Sequence, residues 1–195
     1  HHRLSEQLVQ LKTLALILLL CAPAVYAAEA AVSEGQVAPS FEVALADGQA
    51  ADLATISKTR PTVVLFWASW CPYCKALMPH LQSLLDEYGS EKLEIIAVSI
   101  REDAPEDAEN YLMSQGYDFL RVLEGDPVAQ AWGVRGTPHF FLVGTDGRIV
   151  FDQSAHQISP KRRFGGKEIK GHSDRAARAA PAWAADLRRA IDQQP

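Results

Sequence analysis

Residues 62–81 read TVVLFWASWCPYCKALMPHL, a β-branched and aromatic run that leads straight into two cysteines two residues apart. The run Thr62 to Trp67 has no polar alternation, which is the pattern of a strand buried on both faces. From Cys74 onward Leu77, Leu81, Leu84, Leu85 and Tyr88 recur at helical spacing, and Gly89 supplies a stop. Pro79 lies inside this helix and is expected to kink it. LEIIAVS (93–99) is a second buried strand, so the order strand, helix, strand predicts a right-handed parallel crossover. Cys71 then falls where a strand ends and a helix begins. There the unsatisfied backbone N–H groups and the helix dipole favour an anion, so the Cys71 thiol is expected to ionise easily and to be the nucleophile. Pro72 suits the first helical turn, where its missing N–H needs no partner. Cys74, one turn along, can reach Cys71 but is aimed into the helix packing. The asymmetry predicts roles: Cys71 attacks a substrate sulfur and Cys74 resolves the mixed disulfide.

The bulk properties bound the alternatives. The 195 residues suit one domain with a real core, and 48% are apolar, which excludes a disordered or collagen-like chain. A net charge of −5 gives no field that would draw nucleic acid. In the first thirty residues, Arg3 and Lys12 precede LALILLLCAPAV, and VYA ends at Ala27 with small residues at a cleavable spacing. Residues 1–27 therefore read as a secretory signal peptide. The alternative is a retained N-terminal membrane anchor, although the apolar stretch is shorter than the ~20 residues a spanning helix needs. Cys21 would leave with the signal, since Leu20 is not the small residue a lipid-attachment cysteine wants, and Cys71 and Cys74 would remain. Two such thiols could form a structural clamp, half of a metal site, or a redox couple. Closing so short a loop removes little unfolded-state entropy, which weakens the clamp.

Beyond residue 33 a single domain is expected to run to residue 195. SEGQVAPSFEVALADGQAADLATI predicts a short strand, an Asp47-Gly48 turn and a helical turn near Asp52–Ile56. Asp103 and Pro105 open a helix with Ala108, Tyr111, Leu112 and Gln115 on one face, ended by Gly116. FLRVL is a short strand, Asp126-Pro127 caps a further helix that stops at Gly133, and HFFLV with RIVFD form a hairpin through Asp146-Gly147. Residues 153–180 are polar and basic and read as a solvated excursion, with a docking patch for an acidic partner as the alternative. Trp183, Leu187, Ala190 and Ile191 put one apolar face on a closing helix. GTPHFFLV sets Pro138 at the mouth of a strand, where the Thr137–Pro138 bond is either cis or an ordinary trans edge proline. Thr137 backbone groups there could pair with an extended substrate chain beside Cys71.

Taken in order, GQVAPSFEV, DGQAADL, VVLFWASWCPYC, the Pro79 helix, DPVAQAWGVRGTPHFFLV and DGRIV resemble the TlpA/ResA/DsbE (CcmG) group of thioredoxin-fold proteins, from about Ser33 to Ser154. The resemblance implies an α/β thioredoxin fold: a central mixed sheet flanked by helices, with an N-terminal strand extension and a central helix–strand insert. It implies a thiol–disulfide oxidoreductase with a redox-active Cys71–Cys74 disulfide, a motif completed by Trp70, Pro72 and Tyr73, and cis-Pro138 beside Thr137 at the substrate. It further implies a periplasmic or other extracytoplasmic location, a protein disulfide such as that of apocytochrome c as substrate, and an electron donor in the membrane or periplasm. No cofactor beyond the dithiol couple and no metal is expected, and a monomer is. Two departures stand out. Leu65 lies near the place where cytosolic thioredoxins bury an Asp, and Leu77 fills the slot where some ResA-like members carry a Glu. The base for Cys74 is thus unassigned, with Glu124, Asp126 and His139 as neighbourhood candidates. Lys75 is a candidate for lowering the Cys71 pKa, and Tyr73 for touching substrate.

Two other chemistries fit the dithiol less fully. Paired thiolates can hold Cu(I), so a copper carrier or copper-site assembly factor is the alternative function. GQVAPSFEV also opens peroxidases of the peroxiredoxin type, but Val64 and Ala68 stand where those enzymes place their peroxide-binding Pro and Thr or Ser. His80, His156 and His172 share no ligand spacing.

Overall fold

The computed structural model describes residues 31–45, 49–156, 163–164, 167–168 and 171–195. The expected leader with Cys21, the Asp47-Gly48 turn and most of the basic excursion lie outside them. Strand β3 (Thr62–Trp67) is the axis of the fold, and all six of its residues are buried. It pairs in parallel with β4 (Glu94–Ser99) and antiparallel with β6 (His139–Val143), so Leu65 sits between Ala97 and Phe140. Side chains alternate across the sheet, as the two-residue period requires. Val63, Leu65 and Trp67 enter one core, and Val64 and Phe66 enter the other.

The remaining strands extend this centre on both sides. The sheet order is β2-β1-β5-β4-β3-β6-β7, with β1 (Glu42–Ala44), β2 (Ala50–Asp52), β5 (Leu120–Val122) and β7 (Ile149–Asp152). β1 runs antiparallel to both β2 and β5, β5 parallel to β4, and β7 antiparallel to β6. β2 was not expected. Its Ala-Ala-Asp has little strand propensity, and it forms because β1 offers a free edge from Glu42 to Ala44. Two short strands, β8 (Arg163–Phe164) and β9 (Lys167–Glu168), pair antiparallel as a separate two-stranded sheet.

Helix α1 (Leu53–Ser57) is capped by Asp52, whose carboxylate accepts the Thr55 N–H at 2.6 Å. Helix α2 (Pro72–Tyr88) follows β3 and buries Cys74, Leu77, Met78, Leu81, Leu84 and Leu85. Helix α3 (Pro105–Gln115) buries Ala108 and Leu112 and stops at Gly116, which is left-handed at φ 68°. Gln115 does not share that buried face. It is exposed, because a long amide gains nothing from entering an apolar core without partners. In α4 (Asp126–Ala131) the cap is Gly125, not Asp126, whose carboxylate instead accepts the N–H of Arg101 at 3.2 Å. Together α3 and β5 are the helix–strand insert between β4 and α4.

Helix α5 (His172–Ile191) starts earlier than expected, so residues 172–180 are not part of a solvated excursion. Ala176, Ala180, Ala184, Leu187 and Ile191 recur at helical spacing and are all buried. Alanine is the strongest helix former, and that stripe extends the closing helix by two turns. Residues of α2, α3 and α5 share one core with Leu65 and Trp67, while α1, α4 and Trp132 fill the other.

Trp132 ties the N-terminal segment to that second core. It is fully buried against Phe141 at 5.0 Å, Phe66 at 5.7 Å and Phe41 at 6.2 Å, and its indole N–H donates to Pro39 O at 3.1 Å. Removing a buried Trp costs roughly 3–5 kcal/mol. Trp132→Ala is therefore expected to lower the urea midpoint by that amount of stability and to expose residues 32–41 to amide exchange ahead of β3.

Candidate active site

The end of β3 delivers the chain to a tight turn in which Cys71 N–H donates to Ala68 O at 3.0 Å. Cys71 is then the N-cap of α2, with extended backbone (φ −82°, ψ 112°) and Pro72 in the first turn. Its sulfur takes the part usually played by a Ser or Asp oxygen, accepting the Cys74 N–H at 3.3 Å. Both cysteines are free thiols. Cys71 is 3% exposed, whereas Cys74 is wholly enclosed.

The two sulfurs experience opposite pressures. The Cys71 thiol is brought down from 9.0 to about 6 by hydrogen bonding from the Cys74 side chain, the Thr137 hydroxyl and the Cys74 and Tyr73 backbone, which together outweigh its burial. Burial pushes the Cys74 thiol far up, and the neighbouring Cys71 adds to the rise. At neutral pH this gives one thiolate and one protonated thiol a turn apart.

The Thr137–Pro138 peptide bond is cis, and Thr137 acts on both sulfurs through its side chain. That hydroxyl contact is new relative to the backbone role expected for Thr137. It spans more than sixty positions of chain and leaves no local pattern. Next to Cys71 in the chain, Trp70 is 54% exposed, while its indole N–H donates to Arg101 O at 2.8 Å. Ser69 is held there by Glu102, which accepts both its N–H and its hydroxyl at 2.6 Å. Trp67 is fully buried core, packed on Tyr111 with ring centroids 5.8 Å apart.

Several expected neighbours are committed elsewhere. The Lys75 ammonium sits over the Tyr111 ring at 4.7 Å. Tyr73 is half-buried against α5, 6.2 Å from the Trp183 ring and 6.1 Å from that of His172. His139 pairs with Asp152 at 2.8 Å and stacks on Phe141, Asp126 holds Arg101, and Glu124 is exposed with φ 54°. The rise at Cys74 comes first from its burial and then from Cys71, with the Ala68 backbone and the Thr137 side chain acting against it. Leu65 and Leu77 are both fully buried, so no carboxylate occupies either of the two positions considered. His156 pairs with Glu34 at 3.0 Å, and among the described residues no three His, Cys, Asp or Glu side chains cluster in a way that would hold a metal. Nor is any described helix long and apolar enough to cross a membrane.

Because the folded Cys71 value lies below the usual one, this thiol adds stability as pH rises from about 6 toward 9.0, and the gain is lost as pH falls through about 6. Cys74 opposes it only above 9.0, where an unfolded thiol ionises and the buried one does not. The reduced protein should thus become more stable relative to reduced Cys71→Ser between pH 6 and 9, as read by urea unfolding. Thr137→Val should move the midpoint of Cys71 alkylation to higher pH.

Comparison with known proteins gives a consistent picture. Residues 33–163 match the Redoxin family. The thiol-disulfide oxidoreductase ResA of Bacillus subtilis is 31% identical over 147 residues, covering 72% of this chain and 81% of ResA. ResA of Bacillus thuringiensis is 30% identical over 120 residues, which are 60% of this chain and 66% of that relative. Among solved structures, the thioredoxin domain of a thiol-disulfide oxidoreductase from Bacteroides vulgatus superposes with a TM-score of 0.56 at 21% identity, covering 79% of this chain and 99% of that one.

Proposed function

This chain belongs to the Redoxin family, and we propose that its Cys71–Cys74 couple works outside the cytoplasm, reducing disulfides in selected proteins such as apocytochrome c. It is a thiol–disulfide oxidoreductase of the thioredoxin fold, similar to ResA. The observation that carries the proposal is the split between the sulfurs: Cys71 is brought down to about 6 while Cys74 is buried and held protonated. The Cys71 thiolate attacks one sulfur of the substrate disulfide. A Cys71–substrate disulfide forms, and the first substrate thiolate leaves and takes a proton from water. Cys74 then attacks Cys71 Sγ and expels the second substrate thiolate, which ends with the proton that Cys74 loses. Two electrons have passed to the substrate, and the enzyme is left with a Cys71–Cys74 disulfide. A donor in the membrane or periplasm must then reduce that disulfide.

Export is supported by the basic, apolar and small-residue pattern of residues 1–27. Substrate docking is supported by the exposed Trp70 that precedes Cys71 and by Thr137 at its sulfur, where an extended chain would pair with backbone groups.

Acid quench of living cells followed by alkylation is the test of direction. A mostly reduced Cys71–Cys74 pair is expected, since a reductant in an oxidising compartment needs a constant electron supply. A mostly oxidised pair would overturn the reductant reading and indicate an oxidase. In the same cells Cys74→Ala is expected to accumulate mixed disulfides through Cys71, visible as non-reducing gel shifts that Cys71→Ser abolishes.

A further inference from the structure

Arg101, two residues beyond β4, has φ 55°, a left-handed backbone that non-glycine residues avoid at a cost of order 1–3 kcal/mol. Such a conformation persists where surrounding bonds over-determine it, and three bonds do so here. Its N–H donates to Asp126 Oδ2 at 3.2 Å, and its carbonyl accepts the Trp70 indole N–H at 2.8 Å. Its guanidinium Nη2 donates to the carbonyl of Arg135 at 3.1 Å. These partners lie on three segments: the loop that carries Trp70 next to Cys71, the first residue of α4, and the loop that leads through Gly136 to Thr137. Glu102, the next residue, locks Ser69 through both of its carboxylate oxygens.

We propose that Arg101 is the positioning residue of the substrate groove, its carbonyl fixing the Trp70 wall and its guanidinium fixing the backbone that leads to Thr137. The proposal rests on the reading that a substrate chain docks at Thr137 as an added strand. Main-chain pairing demands a preset edge, because every bond to a wandering loop must first pay for ordering it. A guanidinium donor to a carbonyl is a charge-assisted bond, strong enough to hold such a loop. Arg101 touches neither sulfur, so it acts on how a chain binds and leaves the reactivity of Cys71 alone.

Arg101→Gly separates these effects. Glycine accepts the left-handed backbone freely and keeps the N–H and carbonyl bonds, so only the guanidinium link to Arg135 is lost. Arg101→Asn, also tolerant of that conformation, controls for added backbone freedom. The reduced full chain is mixed with two uncharged probes: 4,4′-dipyridyl disulfide, and the pyridyl mixed disulfide of a short, capped, neutral peptide. In each case Cys71 attacks, 4-thiopyridone leaves and is followed by absorbance, and Cys74 then closes the disulfide. Wild type should favour the peptide probe, relative to the ratio that free glutathione shows. Both variants should lose roughly tenfold of that preference, the factor expected when one charge-assisted hydrogen bond is lost. Their rates with the small probe and their Cys71 thiolate titration should match wild type. Unchanged preference in both variants, a loss confined to Arg101→Gly, or equal slowing with both probes would overturn the assignment. If wild type itself shows no preference for the peptide, the added-strand reading fails, and the role of Arg101 fails with it.

Discussion

The contact on which the site depends is the hydrogen bond from the Cys74 N–H to the Cys71 sulfur, at 3.3 Å. It exists because β3 ends where α2 begins, so a sulfur occupies the cap position and faces donors that the first helical turn leaves unpaired. A helix start has no partner for those N–H groups other than the cap and whatever charge gathers there. Cys71 gains from that supply. Cys74, one turn inward, is already within the helix and the apolar core. Two identical side chains therefore differ through their places on one helix, through each other and through the Thr137 hydroxyl.

The same geometry explains why the rest of the sheet is arranged as it is. β3 is held by β4 along its whole length and by β6 from Thr62 to Phe66, so it reaches its C-terminal end fixed on both sides. Its neighbours end at the same level, and their loops supply Arg101, Glu102 and Thr137 around the thiols. This is the region outside the carboxyl ends of parallel strands where α/β sheets place their chemistry. Packing on both faces then makes the platform stiff. Leu65 and Trp67 anchor one core and Phe66, Phe141 and Trp132 the other.

Much of this could be read from the sequence wherever the signal was local. The run Thr62–Trp67 has no polar interruption and was legible as a doubly buried strand to the residue, and Gly89 and Gly116 marked helix ends. The position of Cys71 at a helix start followed from the same run. What could not be read depended on distant partners. β2 needs the edge of β1, the cap of α4 moved to Gly125 because Asp126 is engaged by Arg101, and the early start of α5 depends on an alanine stripe finding α2. Lys75 adjoins Cys74 in sequence, but in space its ammonium lies over Tyr111, and the Tyr73 ring packs on α5 while its backbone still bears on Cys71.

That capture of Tyr73 bears on how this motif could change. Two residues, Pro72 and Tyr73, lie between the cysteines. Here the second of them is clasped by Trp183 and His172 of the last helix. The active-site dipeptide and the C-terminal helix are therefore one coupled unit. A smaller residue at position 73 would leave that aromatic surface without its partner, and shortening the tail would alter the surroundings of the thiols from a hundred residues away. Exchange at position 73 is thus constrained by the fold's own end as much as by redox chemistry, and grafting the motif elsewhere would mean transferring both.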